Sequence, residues 1–335
     1  MNLKNPDARL YGTYLKESPE EREALLRKIS LIRSLREVLH DAKYCEVATP
    51  ILCNVRESAP IPQFATAHPL TGQHYYLKHS AEDHLRRLAI TLDRVFDLGK
   101  AIRAEREDAH RAVEFLMLQT AVRDVSLSDG VAFLIELIQT AIQGAYGTLQ
   151  TKGVDWSRIH LRPLDEAIAV ALEADGVTLH DKEMGLQASR WLSLHGHRVG
   201  TSEWEVMEDF VRYAVESVIT EPTVLIGFPH ALRHNSRVDA KTGRAQRFSL
   251  VAGGVEVCDG GLKLRDSADY RPMVDRNIEL RADLYGIDGD PGPLDFYADI
   301  DTDPADVFTF GLGIERLLAL SDDRNLHEVL TFPFH

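Results

Sequence analysis

An α+β fold built on an antiparallel sheet is what the sequence predicts, from three observations. Its strand candidates come as hairpin pairs. Those pairs lie toward both ends of the chain. The stretch between them reads as helical. The composition, 335 residues with 44% hydrophobic and 27% charged, is that of a globular protein. No run of about 18 apolar residues would span a bilayer, so no membrane association is expected.

Residues 20–40 place Leu25, Ile29, Ile32, Leu35 and Leu39 at helical spacing, and Ser18-Pro19 with an acidic first turn marks the start. EVATPIL (46–52) reads as extended and is broken by Pro50. TAHPLTGQHYYL (66–77) reads as a turn at Gly72 into a strand. Ser80 is a candidate cap for a helix over 81–93 with Leu85, Leu88, Ala89 and Leu92 on one side. RVFDLGKAIR (94–103) and VEFLMLQTAV (113–122) form a predicted hairpin around the charged loop AEREDAHRA. Residues 124–150 and 160–219 read as mostly helical. TVLIGF (223–228) reads as a strand and RFSLVAGGVEVCDGG (247–261) as a strand pair turning at Gly253-Gly254. A helix over 269–284 follows, and FTFGLGIERLLALS (308–321) reads as strand, Gly-x-Gly turn and helix.

The net charge of −14 argues against a protein that coats nucleic acid, since affinity for phosphates comes from Lys and Arg. It leaves room for a local basic cleft at Arg86-Arg87 or Arg103-x-x-Arg106. Cys45, Cys53 and Cys258 are odd in number and lack metal-ligand spacing, which reads as reduced thiols in the cytoplasm.

Three clusters carry candidate chemistry. In the hairpin loop, Arg103 offers a planar fork for a phosphate, with Glu105 beside it. Phe115 on the returning strand offers a flat face for a base. The same residues also read as a surface charge cluster over a core Phe. Gly311-Leu312-Gly313 lets the backbone approach a ligand closely. Arg316, in the first turn of the next helix, opposes the helix dipole unless an anion lies nearby; the plainer reading is a tight strand-to-helix turn. Glu256 sits on a strand whose alternation puts Val255 and Val257 on one face and Glu256 and Cys258 on the other. An acid there suits Mg²⁺ bridging phosphates, or is simply solvent-facing. No P-loop, nucleophile elbow or dinucleotide fingerprint occurs.

The order of these pieces resembles the class II aminoacyl-tRNA synthetases of the lysyl, aspartyl and asparaginyl subgroup. Glu46-Val47-Ala48-Thr49-Pro50 after a long helix is similar to their motif 1. YLKHSAEDHLRRLAITLDRVFDLGKAIRAE with VEFLML resembles motif 2, and GLGIERLLALSDDRNLHEVLTFPF resembles motif 3 and the tail. The likeness covers residues 20–122 and 222–335. It implies a six- or seven-stranded antiparallel sheet flanked by helices, a single catalytic domain over 1–335 with a helical insertion at about 124–219, and a homodimer through motif 1. It further implies ATP and Mg²⁺: Arg103 on the α-phosphate, Glu105 near the adenine, His110 and Arg111 near the γ-phosphate, Phe115 stacked on the base, Arg316 on the far side, Gly311 and Gly313 in motif 3, and Glu256 on the metal. Glu82, Gln119, Gly260, Gly261 and Lys263 correspond to the amino-acid pocket.

Some positions depart from the subgroup. Ser249 replaces a second metal-binding acid, and Thr309 replaces a small Gly. His110-Arg111 reverses the usual order. Gln119 replaces an acid, and Lys263 stands where lysyl types carry Glu. A Lys at 263 should repel an ammonium side chain and attract a carboxylate or carbonyl, so an acidic or amide-type amino acid is expected. About 20 residues precede the motif 1 helix, too few for an anticodon-binding domain. Transfer from an aminoacyl-adenylate to ammonia, a small amine or a protein is therefore expected rather than tRNA charging, as in the paralogues that attach β-lysine to elongation factor P or make asparagine. The alternatives are tRNA aminoacylation without an anticodon domain and a non-catalytic regulatory subunit.

Overall fold

The computed structural model describes residues 11–57, 59–174, 184–233, 235–286, 294–302 and 305–332. The chain runs through α1 (Tyr11–Glu17), α2 (Pro19–Asp41), β1 (Cys45–Glu46), β2 (Leu52–Cys53), β3 (Ala65–Ala67), β4 (His74–Leu77), α3 (Glu82–Leu92), β5 (Arg94–Ile102) and β6 (Glu114–Arg123). It continues with α4 (Leu127–Tyr146), β7 (His160–Pro163), α5 (Leu164–Ala174), α6 (Met184–Leu194), α7 (Glu203–Phe210) and β8 (Thr223–Ile226). It closes with β9 (Arg247–Ala252), β10 (Val255–Leu262), α8 (Ser267–Tyr285), α9 (Leu294–Asp301), β11 (Val307–Gly313) and α10 (Ile314–Asp322).

The main sheet has eight strands in the order β1-β5-β6-β11-β10-β9-β8-β7. Its six central strands are antiparallel, and parallel pairings add β1 and β7 at the edges. The expected six or seven strands therefore become eight, because 160–163, read as helical, pairs with β8 instead. The β9–β10 turn matches expectation, with Gly253 and Gly254 at φ +55 and +78, the left-handed pair that a tight hairpin needs.

Strand alternation divides the sheet into two faces. Phe96, Leu98, Leu118, Phe248, Leu250, Phe310 and Leu312 build the main core with Leu31, Leu35 and Leu39 of α2, Leu134, Ile138 and Ile142 of α4, and Leu317 of α10. The predicted apolar stripe of α2 is rotated. Ile29 is exposed, and Lys28 is buried in its place. The reason is Glu315 at the start of α10, also buried: Lys28 Nζ donates to Glu315 Oε1 at 2.9 Å and to the Val329 carbonyl at 3.1 Å. Glu315 Oε2 accepts from the Leu116 amide at 2.8 Å. This pair ties α2, β6 and α10 behind the sheet. Removing one member of a buried pair strands the other charge, so Lys28→Met should lower the unfolding free energy in urea by about 3–5 kcal/mol.

On the second face, α3 packs Leu85 and Ala89 against Val95 and Ala121. α4 belongs to the main core. α5, α6 and α7 build a second core around Leu164, Trp191, Val206 and Phe210, which rests on Leu225 and Val251 of the sheet. Capping fixes where these helices begin. Ser126 accepts from the Asp129 amide at the head of α4, and Ser202 with Glu205 forms a full capping box on α7. Among the described residues no helix is long and apolar enough to cross a membrane.

Candidate active site

All nine residues expected around the nucleotide (Arg103, Glu105, His110, Arg111, Phe115, Glu256, Gly311, Gly313 and Arg316) line one cavity on the second face of the sheet. The hairpin β5–β6 delivers the first five, β10 the sixth, and the β11–α10 junction the rest. Alternation from Phe115 through Met117 to Gln119 keeps these side chains on that face, opposite Gly313 and Gly311 in register. The expected Gly-x-Gly turn is absent as such. Both glycines belong to β11, and Gly313 caps α10 directly.

Arg103 lies with its guanidinium 5.3 Å from the centre of the Phe115 ring. Its Nε is buried with no hydrogen-bond partner among the described residues, and burial lowers its pKa against the pull of Glu105 and Glu256. A guanidinium N–H kept dry without an acceptor is a seat for an anion. Arg316 spends two donors on backbone carbonyls, Nε on His110 at 3.0 Å and Nη1 on Glu256 at 2.9 Å. It thereby pins the hairpin loop against β10. A Cβ on Gly311 or Gly313 would come no nearer than 3.6 Å to a neighbour. The chain's own packing therefore tolerates side chains at both positions, and what their absence preserves is room in the cavity.

Gly260 and Gly261, expected at the amino acid, do something else. A Cβ on Gly260 would sit 2.3 Å from the Thr309 carbonyl, and one on Gly261 2.3 Å from that of Gln246. They permit close strand packing and do not border either cavity of the site.

Glu256 is reached by a route the alternation rule missed. A bulge between Glu256 and Cys258 resets the strand. Cys258 turns into the main core, and Asp259 joins Glu256 on the site face. Ser249 donates its hydroxyl to Glu256 Oε2 at 2.9 Å. Among the described residues no group of three or more His, Cys, Asp or Glu is placed to hold a metal. Magnesium beside a nucleotide needs only one or two carboxylates, with phosphate oxygens and water completing its shell. Glu256 and Asp259, both lining the cavity, suit that role.

A second cavity of about 510 Å³ adjoins the first, and Glu105, Arg111, Glu256 and Asp259 line both. Its walls include Glu82 and Asp83 of α3, Arg247 of β9, Tyr270 of α8 and a face of α7. Arg247 is buried and held by Asp259 and by Asn235, whose Oδ1 is 3.0 Å away; burial brings its pKa down to about 10. Burial, then the nearby Glu82 and Glu57 charges, push the Asp83 carboxyl up to about 7.

Two expected substrate residues are withdrawn from this cavity. Lys263 is 1% exposed, and its Nζ lies 2.8 Å from Glu82 Oε2. Burial lowers its pKa to about 8, and Glu82 opposes the shift. Thr309 adds a hydroxyl contact to the same carboxylate at 3.4 Å. Lys263 thus presents no spare charge to a substrate, and the argument for an acidic or amide-type amino acid loses its footing. Gln119 accepts from the Ala81 amide at 2.5 Å and donates to Ser80 Oγ at 2.8 Å. It completes the N-terminus of α3 instead of facing the cavity.

Sequence reasoning missed Asp259, Arg247 and the whole α7 wall. The bulge hid Asp259. The residues of α7 lie in the segment with no recognised motif, where only the capping box was there to be found.

Helices packed on both faces of a largely antiparallel eight-stranded sheet are the architecture of the class II synthetase fold. The family model for class II tRNA synthetases (D, K and N) matches residues 5–335, and the chain belongs to that family of ATP-dependent ligases. It is similar to the lysylphosphatidylglycerol biosynthesis bifunctional protein LysX of Mycobacterium tuberculosis strain F11, with 29% identity over 99% of this chain and 30% of the relative. The corresponding protein of Mycobacterium avium strain 104 is 29% identical over 99% of this chain and 29% of its own length. That of Mycobacterium leprae strain Br4923 is 29% identical over 99% and 31%. The chain therefore spans about 30% of the length of the curated relatives it matches.

Proposed function

We propose that the protein activates an amino acid with a cationic side chain, lysine or a close analogue, as its adenylate and passes it to an acceptor other than tRNA. The observation that carries this reading is the pair of adjoining cavities sharing Glu105, Arg111, Glu256 and Asp259. A carboxylate in the second cavity meets the α-phosphate of a nucleotide in the first only at that junction.

The carboxylate oxygen attacks the α-phosphorus, the bond to the β-phosphate oxygen breaks, and pyrophosphate leaves. An acceptor nucleophile then attacks the carbonyl carbon, loses its proton to solvent and releases AMP. No protein nucleophile is required. Arg103 holds the phosphate whose charge rises in the transition state, Phe115 carries the base, and Arg316 fixes the loop that closes the site. Glu256 with Asp259 would hold Mg²⁺, which supplies charge neutralisation on the phosphates.

The basic substrate replaces the acidic one expected at first. Lys263 is spent on Glu82, and carboxylates outnumber cationic side chains around the second cavity. The relatives' name specifies a lysyl product. The same name and the net charge of −14 favour a non-tRNA acceptor. Exposed Leu26, Ile29, Leu52 and Phe64, on α2 and the segments that follow it, support a homodimer through this region.

The test is ATP–pyrophosphate exchange with Mg²⁺ and a panel holding lysine, β-lysine, ornithine, aspartate and asparagine. Exchange with a diamino acid and none with aspartate or asparagine is expected. Measurable ATP binding with no exchange for any amino acid would overturn the reading.

A further inference from the structure

The insertion joins the site through one helix face. Trp204, Glu205, Glu208, Asp209 and Arg212 follow i, i+1, i+4, i+5, i+8 spacing and all line the second cavity. The opposite face, Val206, Met207 and Phe210, is buried in the insertion's own core. The helix leaves α geometry immediately afterwards, in a π turn over Val211–Val215, a distortion often found at functional sites.

Two of the three carboxylates on this face are committed. Glu205 Oε2 accepts from the Thr201 amide at 3.0 Å and the Ser202 amide at 3.3 Å, closing the capping box. Glu208 is ion-paired with Arg233. Asp209 makes no hydrogen bond to a described residue. Its pKa is raised because burial outweighs the attraction of Arg212, which lies one turn on. Five residues earlier on the same cavity wall, the Trp204 Nε1 is buried with no hydrogen-bond partner among the described residues. A partly buried carboxylate without a donor is costly in the protein alone, and the Trp204 ring adds an aromatic face to the same cavity wall. It matches a ligand whose far end is a cation on an apolar stem.

We propose that α7 selects the amino acid, with Asp209 receiving the distal ammonium of a diamino acid and Trp204 flanking its methylene chain. The proposal rests on the amino-acid-activating reading. The substrate carboxylate is fixed at the shared junction, so the rest of the molecule extends into the cavity that α7 borders. Specificity then resides in the insertion, while the strands that carry Lys263 and Gln119 serve the architecture.

The full chain and its Asp209→Asn and Trp204→Phe variants would be compared in ATP–pyrophosphate exchange, with lysine and ornithine as the probes. Losing a hydrogen bond to a charged group should raise the KM for the diamino acid at least about tenfold in Asp209→Asn, with the KM for ATP unchanged. Trp204→Phe keeps the ring and should show a smaller rise. Asp209 is partly exposed and anchors nothing, so the thermal midpoint should hold; Asp209→Glu, which keeps the charge, should recover most of the affinity. A KM unchanged in Asp209→Asn overturns the proposal. Wild-type exchange with acidic or neutral amino acids alone also overturns it, while leaving amino-acid activation standing. Exchange with none overturns both.

Discussion

Replacing Arg103 by alanine should reduce ATP–pyrophosphate exchange by about 10²- to 10³-fold, the loss typical of removing one donor from a developing charge. The thermal midpoint should barely move. The Arg103 Nε lies buried without a hydrogen-bond partner among the described residues, so a phosphate there supplies an acceptor that the chain does not. Deleting it removes the contact with the Phe115 ring and the attraction of Glu105 and Glu256, and no side-chain hydrogen bond to a described residue. Arg316→Ala should differ in kind. That side chain holds the His110 and Glu256 carbonyls, so its loss frees the hairpin loop, and the KM for ATP should rise along with the fall in kcat. Exchange kinetics at varied ATP separate the two. Wild-type turnover in Arg103→Ala would remove this cavity from consideration as the nucleotide site.

The cavity proposed for the nucleotide was legible in the sequence because its parts are local. A hairpin puts Arg103 within reach of Phe115 through simple register, and a strand running into a helix places Gly311, Gly313 and Arg316 within six residues of one another. The cavity proposed for the amino acid was not legible, because it depends on long-range encounters. Lys263 and Glu82 lie far apart in the chain and meet only in the fold, where Lys263, just past β10, reaches Glu82 at the start of α3. The bulge at Val257 reverses which residues of β10 face the cavity, and no residue type announces a bulge. The departures from the family pattern make sense once paired. Lys263 and Thr309 both converge on Glu82, and Ser249 bonds Glu256, so each substitution is answered by a contact. Read singly along the sequence they are only departures from the subgroup's pattern. In the structure they hold two carboxylates of the site in place.

Lys263→Glu distinguishes a structural lysine from a selecting one. If Lys263 faced the substrate, reversing its charge would exchange one class of amino acid for another and leave stability nearly untouched. In the fold, the new carboxylate would instead stand where an ammonium now lies 2.8 Å from Glu82, at a position 1% exposed. Two carboxylates at that distance cannot both ionise, so one must take up a proton. The variant should therefore lose on the order of 3–5 kcal/mol of stability, as for other broken buried pairs. It should also lose activation with every amino acid, because Glu82 is displaced from the cavity wall. Lys263→Met removes the repulsion but leaves Glu82 without its main counter-charge, and should fall between the two. Urea unfolding and exchange against the same amino-acid panel measure both consequences. A Lys263→Glu protein with an unchanged midpoint and a new substrate would return Lys263 to the pocket and restore the acidic-substrate reading. A destabilised protein with no gain of substrate would leave selection to the opposite wall, where α7 faces the cavity.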